Sequence, residues 1–135
     1  MSKRRLIDTN LIVRYLVRDH PQHAQAAGKL FEACDRGEVV IVLLPAVLAE
    51  CVFVLESFYE QPRAAIADAL GRLSTSPGVE ISAIGVHLDA LDRYRQTKAH
   101  FVDCLLAATA VTENLPVATF DQDFRKFTDV RVKID

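Results

Sequence analysis

The chain has 135 residues, half of them hydrophobic and a quarter charged, which excludes a disordered polymer and predicts one domain spanning residues 1–135. Sixteen basic against eighteen acidic residues leave a net charge of −2, so bulk electrostatics alone cannot grip a nucleic acid. Cys34, Cys51 and Cys104 are odd in number and far apart, which argues against a disulfide framework or a thiolate zinc site and for buried free thiols in a reducing cytosol.

The basic start Lys3-Arg4-Arg5 lacks the apolar run of a signal peptide. The greasiest stretch, Val39 to Leu55, is interrupted by Pro45 and Glu50 and falls short of the ~20 residues a membrane span needs. A soluble, cytoplasmic protein is expected.

In chain order, Leu6-Ile7 predicts a short strand and Leu11 to Val17 the start of a helix. Gln22 to Arg36 carries Ala26, Ala27, Leu30, Phe31 and Cys34 at helical spacing, with Gly37 as a stop. The β-branched run Val39 to Leu44 predicts a strand covered on both faces. Pro45 suits the first turn of a helix reaching about Tyr59. Arg63 to Leu73 is a further helix, closed by the turn Ser76-Pro77-Gly78. Val79 to Ser82 predicts a strand, Val86 to Lys98 a helix, and Phe101 to Glu113 another. Pro116 to Phe120 and Val130 to Ile134 read as strands, the last at an edge. Strands alternating with helices predict a central, mainly parallel sheet with helices on both faces, and a ligand site beyond the strands' carboxyl ends.

Carboxylates stand at suggestive places in this scheme. Asp8, in "LIDTN", ends the first strand, where a helix N-cap is the plain structural alternative. Asp121 and Asp123, in "TFDQDF", follow the strand at Val117–Phe120, with turn or cap chemistry as the alternative. Glu50 has Ala46, Val47, Phe53 and Val54 at helical spacing, which reads as a carboxylate on an apolar stripe that must be paired, protonated or metal-bound. Asp103 sits similarly before Leu106 and Ala107, though a first-turn carboxylate is also favoured by the helix dipole. Together Asp8, Glu50, Asp103 and Asp121 can converge on one pocket with a charge near −4. Oxygen-only ligands suit Mg²⁺ or Mn²⁺ rather than zinc, and His20, His23, His87 and His100 show no metalloprotease pairing. Such a cluster is equipped for phosphodiester hydrolysis.

The order "LIDTN", the acid in "LAECVFVL", "FVDCLLAATA" and "VATFDQDF", closing on a short strand, resembles a PIN domain over essentially the whole chain. It is most similar to the VapC-type toxins of prokaryotic toxin–antitoxin pairs. The resemblance implies a three-layer α/β/α sandwich with Asp8, Glu50, Asp103 and Asp121 as catalytic, metal-holding acids and Asp123 as an auxiliary one. Asn10 and Thr119 match the family's auxiliary polar positions. It further implies an Mg²⁺-dependent endoribonuclease, with Mn²⁺ able to substitute, commonly a homodimer and inhibited by a cognate VapB-like antitoxin.

Other readings weigh less. A haloacid dehalogenase-type phosphatase opens on strand–Asp–x–Asp, but the second position here is Asn10, which removes the proton donor. A non-catalytic RNA-binding module and a housekeeping RNA-processing nuclease share the fold. Arg14, Arg18, Lys98, His100, Arg125 and Lys126 are candidate phosphate contacts, with solvated surface charge as the alternative. Phe31, Phe53, Phe58 and Tyr59 suggest that a helical face serves self-association or an antitoxin helix.

Overall fold

In the computed structural model, which describes residues 3–135, the chain divides into two compact units, Met1–Ser82 and Ala83–Asp135. The fold is α/β, a three-stranded parallel sheet flanked by helices, as the alternation of strand and helix patterns predicts.

In the first unit, β1 (Lys3–Leu6), β2 (Val39–Val42) and β3 (Val79–Glu80) form the sheet in the order β1-β2-β3. Lys3 pairs with Val39 and Leu6 with Val42, while Ile41 and Val42 pair with Val79 and Glu80. Between the strands lie α1 (Thr9–Val17), α2 (Pro21–Asp35), α3 (Pro45–Ser57) and α4 (Arg63–Ser74). Pro21 and Pro45 open α2 and α3, where a missing N–H costs nothing. His20 caps α2 by accepting from the His23 N–H, and their stacked rings are the helix start that the sequence suggests. The core gathers Ile12, Val13, Phe31, Ile41, Leu48, Val52, Leu55, Ile66 and Leu70. Phe31 is thus interior, stacked on Tyr15, and is removed from the exposed aromatic face expected of it; Phe53 and Phe58 remain exposed. Gly78, with φ of +82°, turns the chain so close to α2 that a β-carbon there would lie 2.7 Å from Cys34 Sγ. All three cysteines are buried and none forms a disulfide.

In the second unit, α5 (Ile84–Gln96) packs against α6 (Phe101–Glu113), burying Leu91, Tyr94, Phe101, Cys104 and Ala108. Asn114 closes α6 in the left-handed conformation common at helix C-termini. A 3-10 helix, η1 (Gln122–Lys126), follows.

The strands expected at Pro116–Phe120 and Val130–Ile134 do not form. One parallel bridge joins Val117 to Val132, through Val117 N–H to Arg131 O at 2.8 Å and Lys133 N–H to Val117 O at 3.0 Å. Pro116 supplies no donor, and beyond Ala118 the side chains of Thr119 and Asp121 take up the Asp121 and Asp123 N–H groups. The ladder therefore stops after one rung. No helix among the described residues is long and apolar enough to cross a membrane.

Candidate active site

Each candidate acid is placed by a local rule of chain geometry. Asp8 is the N-cap of α1, with extended backbone, and its Oδ1 accepts from the Leu11 N–H at 2.9 Å. The plain capping role is therefore real, and it occupies one of two carboxylate oxygens. Asp121 caps η1 in the same way: its Oδ1 accepts from the Asp123 N–H at 2.8 Å, and its own N–H donates to Thr119 Oγ1 at 3.0 Å. Asp121 therefore starts a 3-10 turn rather than ending a strand. Asp103 is half-buried in the first turn of α6, where the positive end of the helix favours it.

Glu50 corrects the expectation of a buried charge on an apolar stripe. It is exposed, as are Ala46 and Phe53 beside it on the same face of α3. The helix buries a different set, Leu48, Cys51, Val52 and Leu55. An apolar neighbourhood in sequence marks the buried face only when the neighbours are themselves buried, and α3 is apolar on nearly every side.

Asp8 and Glu50 nevertheless meet electrostatically. Cys51 is fully buried, and burial pushes its thiol up to about 12; the Glu50 charge adds to this, a hydrogen bond with Thr9 opposes it, and Asp8 adds a smaller push. One thiol thus feels both carboxylates. Thr9, Asn10 and Glu50 line a cavity of about 340 Å³ with Phe58 and Tyr59, while Asp8, Asn10 and Arg14 line another of about 270 Å³. In the second unit, Asp121 and Asp123 share one turn. Within neither unit do three His, Cys, Asp or Glu side chains come within ligating reach of one ion, among the described residues.

The candidate acids stand outside the ion pairs of the described residues, as Glu32, Glu60 and Glu113 also do. Asp19, Glu38, Glu56, Glu80, Asp89 and Asp129 each pair with an arginine. Among the described residues no ion pair reaches Asp8, Glu50, Asp103, Asp121 or Asp123. Hard carboxylate oxygens without cationic partners are a donor set that fits Mg²⁺ or Mn²⁺.

Of the candidate phosphate contacts, Arg14 is already engaged. Its Nη1 donates to Asp19 Oδ1 at 2.9 Å, and the Tyr59 hydroxyl donates to Asp19 Oδ2 at 2.9 Å. Tyr59 first and Arg14 second hold the Asp19 carboxyl below its usual range. Arg14 Nε is buried without a partner. Arg18 ends α1 in the left-handed conformation, with its guanidinium over the Tyr15 ring. Lys98, His100, Arg125 and Lys126 are exposed. The sequence reading missed Cys51 as the residue that senses both first-unit acids, although its place directly after Glu50 was the available signal. It also missed the Asp19–Tyr59 anchor, whose two residues lie forty positions apart and leave no local trace.

The family model described as PIN domain matches residues 5–130, a span that runs through both units. No match was found among curated proteins or solved structures.

Proposed function

The chain belongs to the PIN domain family, whose members are generally nucleases that use divalent metals, and on that premise we propose that it is a single-domain, Mg²⁺-dependent endoribonuclease. The observation that carries this reading is the order of acids in which the chain resembles the family, none of them held in an ion pair among the described residues. Asp8, Glu50, Asp103 and Asp121 hold the ion in this proposal, with Asp123 auxiliary and Mn²⁺ an acceptable substitute. When bound, the ion supplies Lewis-acid charge that offsets the build-up on the phosphoryl oxygens and favours ionisation of the attacking water.

The chain's own residues do the remainder. Asp8 and Asp121 are fixed by the backbone N–H groups they cap, so each points one oxygen at its helix and keeps one for ligation. Thr119 holds the Asp121 backbone, and Asn10 offers a neutral amide beside Asp8. Lys98, His100 and Lys126 are the side chains assigned to RNA phosphates, which a chain of net charge −2 must contact locally, while Arg14 is held by Asp19.

Within this reading the chain is the toxin of a VapBC-like pair, a homodimer restrained by a VapB-like antitoxin. Exposed Phe53 and Phe58 support an association surface on the α3 side of the first unit.

Cleavage of single-stranded RNA with Mg²⁺ or Mn²⁺ tests the proposal. Asp8→Asn, Glu50→Gln, Asp103→Asn and Asp121→Asn should each lose at least about 100-fold in rate while remaining folded, and Asp123→Asn should lose less. Cleavage by Glu50→Gln within tenfold of wild type would refute the assignment of roles. Growth arrest on expression, relieved by the product of an adjacent small gene, separates the toxin from a housekeeping nuclease.

A further inference from the structure

Phe120 is 90% exposed, the most exposed large hydrophobic side chain among the described residues. It stands directly before Asp121 and lines a cavity of about 410 Å³ together with Asp121, Gln122, Arg125, Val132 and Ile134. Leaving a phenyl ring in water beside a carboxylate forgoes burial that the fold could have used. The ring is open to a ligand on the side of the candidate acid.

We propose that Phe120 is the platform on which one unpaired RNA base stacks, next to the bond that is cut. The inference rests on the nuclease reading and extends it to how substrate is recognised. The cavity offers an aromatic face, an apolar floor from Val132 and Ile134, a guanidinium, and an amide that both donates and accepts. Those are the groups that an unstacked nucleotide engages: the ring takes the base, Arg125 a phosphate, and Gln122 a base edge. The size falls within the roughly 300–1,000 Å³ of small-ligand sites. The charge balance points the same way. Ala83–Asp135 holds seven basic residues against eight acidic ones, so it has no electrostatic excess with which to hold a polyanion. Stacking needs none. A second protein copy fits the cavity less well, because charged side chains are depleted from interface cores and this lining includes Asp121 and Arg125.

Phe120→Ala, Phe120→Leu and Phe120→Tyr are compared with wild type in steady-state cleavage of single-stranded RNA. A parallel measurement follows quenching of 2-aminopurine, placed next to the cut position, by metal-free protein. Base stacking predicts that Ala and Leu raise KM roughly 5- to 150-fold with a smaller change in kcat, that Tyr restores KM, and that quenching is lost in Ala and Leu. Leu behaving as wild type would overturn the proposal, since any apolar side chain would then suffice. So would a change in oligomeric state by light scattering that Leu repairs, which would assign the ring to a second copy. If wild type cleaves no RNA the nuclease reading fails, while the quenching arm still reports on stacking. If wild type cleaves and Phe120→Ala keeps its KM, only the stacking proposal fails.

Discussion

Raising the pH above 9 should destabilise the protein through Cys51, and the size of the effect follows from its surroundings. The thiol is fully buried beside α1 and within range of the Glu50 and Asp8 charges, so it holds its proton up to about 12 in the folded state, against 9.0 for an ordinary thiol. Below pH 9 the folded and unfolded chains both carry that proton, and the group's contribution is complete. Between about 9 and 12 the unfolded chain releases the proton and the folded chain keeps it, so stability falls by about 1.4 kcal/mol per pH unit. At pH 10.5 the loss is about 2 kcal/mol, or roughly 7 °C in Tm for a chain of this length. Cys51→Ala removes the titration and leaves a small cavity worth about 1 kcal/mol at every pH. Urea titrations of both proteins at pH 7.5, 9 and 10.5 should show the wild type losing about 2 kcal/mol more than the variant. Other alkaline groups are common to both proteins and cancel. Glu50→Gln, which removes the second-largest cause, should shrink the difference without abolishing it. Parallel pH dependence of wild type and Cys51→Ala would refute the placement of the thiol among these charges.

Arg93 donates to Asp89 and makes two bonds to Asp129, one at 2.9 Å, and its guanidinium lies over the Phe127 ring. Arg93→Met should cost about 1–2 kcal/mol after allowance for the half-exposed Asp129. Because Arg93 holds the Asp129 carboxyl below 3.8, the contribution is complete above that pH and is lost as pH falls further, so melts near pH 3 should show a smaller gap than melts at pH 7. Mn²⁺ at about five to thirty times its Kd should stabilise wild type by about 1–2 kcal/mol, roughly 3–8 °C, and Asp8→Asn by much less. Equal shifts in the two proteins by calorimetry would remove Asp8 from the ligand set.

Most helices were legible because their signals are local. Phe101–Glu113 was readable from its Ala and Leu content, α2 from helical spacing with a glycine stop, and α3 from its opening proline. The parallel sheet followed from the alternation of strand and helix patterns, although only β2 is a β-branched run and the first strand lies at Lys3–Leu6 rather than Leu6-Ile7. The last two strands were not legible, because whether Val117 and Val132 extend into a ladder depends on competition between backbone acceptors and the Thr119 and Asp121 side chains. Glu50 was misread for a related reason. Periodicity identifies a buried stripe by contrast, and α3 offers little contrast: Phe53 is as apolar as Val52, yet one is exposed and the other buried. Asp8 and Asp103 lie at helix starts, as their adjacent residues suggest, whereas Asp121 was expected at a strand end and instead caps a 3-10 turn.

Asp19 receives Arg14 from α1 and the Tyr59 hydroxyl from just beyond α3, while Cys51, midway along α3, meets Thr9 at the start of α1. A beam fixed at two points neither slides nor pivots. Axial slippage of α1 along α3 by even part of a turn would break contacts at both ends at once, so the separation of Asp8 and Glu50 is settled during folding. Under the proposed metal-holding role, a cation would meet two carboxylates whose helices are already tied together, and would spend less of its binding free energy on ordering them.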